Sequence, residues 1–196
     1  MGKTSKRTPQ TLSTIGNVLM GLSMVFALII FFPIIKEEYT YRTTNVITQT
    51  ATSEVFNIRI PTIGINSPVV ENVDPWNQRL YVEALKNGVA HATGSAVPNQ
   101  SGLMYLFAHS SDLPWRMTRY NTAFFRLGRV KEGDQIIVTY KGKDIVYRVR
   151  EKKTVWPNEV KYLTEQKRNQ LVLQTCTPIG TALKRLLVFA ERVDNF

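Results

Sequence analysis

The chain has 196 residues, of which 43% are hydrophobic and 20% charged, a composition of globular rather than disordered proteins. A single cysteine excludes a disulfide framework and any zinc site needing two thiolates, and two histidines leave little for a His-rich metal site. The formal net charge of +10 admits nucleic acid, an anionic membrane or an anionic wall polymer as partners and by itself selects none.

Residues 1–14 form a short tail carrying Lys3, Lys6 and Arg7. Ile15 to Ile35 contains no charge. Those residues make a helix of roughly 31 Å, matching a hydrocarbon core of ~30 Å. The run is longer than the apolar stretch of a cleaved signal peptide and meets Lys36-Glu37-Glu38 directly, so it is expected to be an uncleaved signal anchor. The excess of Lys and Arg before the span over Lys36 and Arg42 after it favours a cytoplasmic N-terminus, with everything from Lys36 onward outside. Residues 36–54 are Thr-rich without apolar periodicity and read as a coil-like extracytoplasmic stalk.

From Val55 the pattern becomes that of strands. VFNIRIP alternates and is closed by Pro61; SPVV follows the Gly64 turn; LMYLFAH (103–109) is a continuous apolar run. Residues 135–155 read as a β-hairpin around KGKD, and LVLQT (171–175) and RLLVFAERV (185–193) supply two more strands. Helical pattern is confined to QRLYVEAL (78–85) and part of 116–127. Short strands joined by turns predict an all-β sandwich or barrel over 55–196.

Three residues carry chemistry. Cys176 ends LVLQT, with Pro178 and Gly180 turning the chain just beyond it; a strand end holds a thiol firmly yet leaves it accessible. His109 also ends an apolar strand, and its near-neutral pKa suits a base that becomes an acid. Arg185 begins the strand after the Cys176 loop, where a guanidinium can hold a carbonyl or an oxyanion. Taken singly, each has a plainer reading: a buried small hydrophobe, a satisfied structural histidine and a solvated arginine.

Together they match a known family. The domain resembles the sortases, membrane-anchored cysteine transpeptidases of bacterial surfaces. The LxLxTC signature stands as Leu171-Val172-Leu173-Gln174-Thr175-Cys176, continued by Pro178, with Arg185 at the family arginine and His109 at the family histidine. IPTIGINSPVV, GVAHATGSAVP and FFRLGRVKEGDQIIV resemble three further family segments in the right order. The resemblance implies a closed eight-stranded barrel. It implies that Cys176 attacks the Thr carbonyl of an LPxTG-like sorting motif, that His109 shuttles the proton, that Arg185 positions substrate and oxyanion, and that Thr175 helps orient one of them. The implied partners are surface proteins bearing that motif and an amine acceptor, a cell-wall precursor or a pilin lysine, with the membrane bound through the N-terminal helix. Ala108 replaces the family's usual glycine before the histidine.

Other features read as structural. Asp74-Pro75-Trp76 is expected to be a turn rather than a lid, because it follows the IPTIGI strand; His91 is expected to be structural. The cluster Arg116, Arg119, Arg126, Arg129 and Lys131 reads as a solvated face or an attraction to anionic polymer, and nucleic acid is not expected. Trp115 and Trp156 line either a groove or the core. No cofactor or metal is expected; Asp112, Glu151 and Glu159 lack calcium-ligand spacing, which leaves calcium modulation open. Two rival functions remain: a peptidase in which water releases the acyl-enzyme, and a membrane-tethered barrel that binds without turnover.

Overall fold

The structure, a computed structural model, describes residues 10–43, 55–111, 122–159 and 169–193. The chain divides into two compact units, Met1–Asn45 and Val46–Phe196. The first contains helix α1 (Gln10–Thr43). Its stretch Ser13–Phe32 is long and apolar enough to cross a membrane, and none of that stretch is buried. A helix apolar on every side has no face to turn to water, which suits lipid. The helix runs on through 36–43, where a coil was expected: Lys36, Glu37 and Glu38 are good helix formers and continue a nucleated helix at little cost. Residues 44–54 of the expected stalk and 1–9 of the tail lie outside the described residues.

Among the described residues, eight strands close into a barrel: β1 (Phe56–Ile60), β2 (Ile65–Val73), β3 (Val89–Ala92), β4 (Leu103–Phe107), β5 (Gln135–Tyr140), β6 (Lys143–Val155), β7 (Gln170–Thr177) and β8 (Lys184–Arg192), in the spatial order β1-β2-β3-β4-β7-β8-β6-β5. Pairing of β1 with β5 closes the ring and removes the free edges an open sheet would present. The hairpin expected at 135–155 forms as β5 and β6. Its two-residue turn places Lys141 and Gly142 at φ 49° and 77°, the left-handed pair whose twist matches that of the flanking strands. The interior is filled by Ile58, Ile60, Met104, Leu106, Leu171 and Leu173, each 2% exposed or less.

Helix α2 (Gln78–Asn87) forms where QRLYVEAL predicted it, capped by the Asn77 side chain, which accepts from Leu80 N–H at 3.3 Å. Ala84 and Leu85 are its buried residues. It returns the chain so that β3 lies parallel to β2. A bulge in β2 between Val70 and Val73 puts Asn72 at φ 58°, turning its N–H toward His91. The turn expected at Asp74-Pro75-Trp76 is present, with Asp74 Oδ1 accepting from Trp76 N–H at 2.9 Å. Of the helix expected within 116–127, residues 116–121 are outside the described region; the remainder is a series of turns leading to a 3-10 turn at Leu127–Arg129.

Candidate active site

The ladder brings the three expected residues to one end of the barrel. Cys176 stands opposite Arg185 in the antiparallel β7–β8 pair. On its other flank β7 pairs with β4 in parallel, and the last register pair is Phe107 with Gln174. The pairing continues past that point, because Ala108 N–H donates to the Gln174 carbonyl at 3.1 Å. His109 therefore follows in step with Cys176. Residues opposite each other in a ladder share a face, and neighbouring strands lie about 4.8 Å apart. His109, Cys176 and Arg185 thus form a row across three adjacent chain segments, and all three are half-buried.

Period two gives this row a floor. Tyr105 and Phe107 of β4, Val172 and Gln174 of β7, and Leu187 and Phe189 of β8 share its face. The opposite face of the same strands carries the interior residues Met104, Leu106, Leu171 and Leu173, so the site lies on the outer wall of the barrel. The floor is mostly apolar, with one polar pair: the Tyr105 hydroxyl donates to Gln174 Oε1. Burial pushes the Tyr105 phenol well above its ordinary range, and the Arg185 charge opposes that shift, so the guanidinium is within electrostatic reach of this hydroxyl. Tyr105 and Gln174 were not singled out from the sequence. The available signal was their period-two relation to His109 and Cys176.

Two loops frame the row. Arg185 Nη1 donates to the carbonyls of Ala182 at 3.0 Å and Lys184 at 3.3 Å, which fixes the root of its planar head. Gly180 N–H donates to Ser111 Oγ at 2.7 Å, tying the loop after Cys176 to the segment after His109.

Thr175, next to Cys176 in the chain, does not share its face of β7. Alternation turns it to the opposite face from Cys176; it is 3% exposed, and its Oγ1 donates to the Ala108 carbonyl at 2.8 Å. It clamps the end of β4 onto β7. His91 is 0% exposed, accepts at Nδ1 from Asn72 N–H at 3.4 Å, and has Nε2 3.1 Å from the Ala96 carbonyl. Trp156 is half exposed, with Lys184 Nζ 4.7 Å above its ring. Trp115, Arg116, Arg119 and Asp112 lie outside the described residues.

The closed eight-stranded barrel thus carries a half-buried thiol between an imidazole and a guanidinium at one end. The chain matches the sortase family, as the Sortase domain, over residues 58–193, and it belongs to that family. Sortase D of Bacillus subtilis (strain 168) is 28% identical over 140 residues, a match covering 69% of this chain and 62% of that protein, so the chain spans less than two-thirds of that relative's length. Among solved structures, a lid mutant of sortase A from Corynebacterium diphtheriae is similar with a TM-score of 0.60 and 32% identity, over 76% of this chain and 75% of that one. Sortase C1 of Streptococcus agalactiae, in its complex with MTSET, is similar with a TM-score of 0.60 and 25% identity, over 74% and 70% of the two chains.

Proposed function

We propose that the protein is a membrane-anchored cysteine transpeptidase that cleaves an LPxTG-like sorting motif and passes the surface protein to an amine acceptor. The observation that carries this reading is the row His109–Cys176–Arg185 across three neighbouring segments of the ladder. In the first half-reaction the Cys176 thiolate attacks the Thr carbonyl of the motif. The new C–S bond forms, the amide C–N bond breaks, and His109 gives its proton to the departing amine. In the second, the acceptor amine attacks the thioester, His109 takes the amine's proton, and the Cys176 thiolate leaves. Arg185 faces the oxygen that gains charge in both steps. Thr175 acts as a positioning residue through Ala108. The apolar floor at Phe107, Val172 and Leu187 accepts the aliphatic part of the motif. Helix α1 is the anchor, with the N-terminus in the cytoplasm and the barrel outside.

The test mixes the full chain in detergent with LPxTG-like peptides and varied amines, read by intact-protein and peptide mass spectrometry. An adduct on Cys176 that disappears in Cys176→Ala supports the acyl-enzyme, and its mass reports the motif. Ligated product supports transpeptidation, whereas hydrolysed product alone supports the peptidase. Arg185→Lys is expected to lose at least 90% of turnover, because one ammonium does not reproduce the planar fork. Near-normal turnover in that variant removes Arg185 from the mechanism. A folded protein with a reactive thiol and no adduct from any peptide of the pool shifts the reading to a binding module.

A further inference from the structure

Strand directions separate the two ends of the barrel. The chain enters at β1, and β2 runs antiparallel to it, so the segment after Val73 emerges at the entry end. β5 is also antiparallel to β1, which places the Lys141–Gly142 turn at the same end; Lys141 N–H donates to the Val55 carbonyl at 2.8 Å. β3 is parallel to β2, β4 antiparallel to β3, and β7 parallel to β4. His109 and Cys176 therefore stand at the opposite end.

The entry end presents an unusual surface. Trp76 is 87% exposed, Val55 65% and Leu80 55%. These side chains forgo the burial that ordinarily stabilises them. Arg79, Lys141 and Lys143 are exposed at the same end. Among the described carboxylates at this end, Asp144 is ion-paired with Arg59 and accepts from the Thr139 hydroxyl, while Glu71 and Asp74 accept from neutral donors, the Tyr140 hydroxyl and Trp76 N–H, and keep their charge. An exposed indole and leucine at the same end as exposed lysines and an arginine have the chemistry of a membrane interface, where the ring sits at headgroup depth and cations meet anionic lipid. The chain supplies such a surface. α1 holds a membrane-length apolar stretch, and the link from Thr43 to Phe56 reaches at most ~45 Å. A tether of that reach keeps the lipid at high effective concentration, so a weak contact suffices.

We propose that the end of the barrel where the chain enters docks on an anionic lipid bilayer through Trp76 and Leu80, assisted by Arg79, Lys141 and Lys143, holding the Cys176 end outward. This rests on the reading of α1 as a membrane anchor.

The first 54 residues contain no tryptophan, so tryptophan emission from the full chain reports only on the rest of the protein. The full chain is reconstituted into phosphatidylglycerol–phosphatidylcholine vesicles with acyl-brominated phospholipid, and quenching is compared with unbrominated vesicles. Strong quenching in the wild type, mostly lost in Trp76→Phe with unchanged circular dichroism, supports docking. The pair Lys141→Gln and Lys143→Gln is expected to weaken docking about fivefold per lysine in these vesicles and little in pure phosphatidylcholine. A chain that floats with the vesicles but shows no quenching, or quenching that Trp76→Phe leaves unchanged, overturns docking while leaving the anchor intact. A chain that does not float overturns both.

Discussion

Burial pushes the His91 imidazole below its ordinary value of 6.5, against the smaller raising effects of the Ala96 backbone, Glu71 and Ser95. Its Nδ1 already accepts a hydrogen bond, so a proton placed there would face the Asn72 N–H. Because the folded pKa is depressed, the contribution to stability is complete above pH 6.5. It is lost as pH falls below that value, where the unfolded chain takes up a proton that the folded chain resists. Thermal midpoints in detergent are expected to fall between pH 7 and pH 5, and His91→Gln is expected to flatten that dependence while lowering the midpoint at pH 7. A slope unchanged by the substitution would place the pH sensitivity elsewhere. At this scale the sequence was informative about identities and less so about duties. Cys176, His109 and Arg185 were legible because each sits at a strand end in a recognisable motif. The resemblance gives Thr175 a part in orienting substrate or oxyanion, whereas adjacent strand residues point to opposite faces and its hydroxyl meets the Ala108 carbonyl instead of sharing the face of Cys176.

Gly88, after helix α2, shows how closely the elements pack. A Cβ built there would lie 2.2 Å from the Pro68 carbonyl oxygen, a contact with backbone that no rotamer relieves. Gly88→Ala is therefore expected to push α2 away from β2 and to cost about 1–3 kcal/mol, read as a lowered urea midpoint with little change in slope. An unchanged midpoint would mean that the helix shifts freely. Elements with strong periodicity were legible: the alternating hairpin of β5 and β6, the apolar runs of β4 and β7, and the amphipathic α2. Strand β3 leaves no strand pattern in the sequence. Its four residues Val89–Ala92 are all buried, so they show no alternation, and they are too short to show a period of any kind. The extension of α1 past Ile35 was missed because polar residues end the apolar signal without ending the helix.

Across the whole molecule, one interior supports both the ring and the site. Leu173 is fully buried on the inner face of the strand that carries Cys176. Leu173→Ala is expected to cost about 2–5 kcal/mol. Since the strands share a core, the loss should appear as one transition, coincident by near-ultraviolet circular dichroism and by Cys176 reactivity. Two separated transitions would show that the thiol end opens on its own. The sequence by itself determined the apolar span, the strand-rich composition of the domain and the residue types that carry the chemistry, because length, period and motif are local properties of a chain. Only the tertiary structure decided that His109, in the segment after β4, and Arg185, in β8, flank Cys176 from its two sides, that Thr175 faces the other way, and that Trp76 and the thiol lie at opposite ends of the barrel. Those relations depend on strand direction and register, set by which strands pair across long separations in the chain, and no local pattern encodes them.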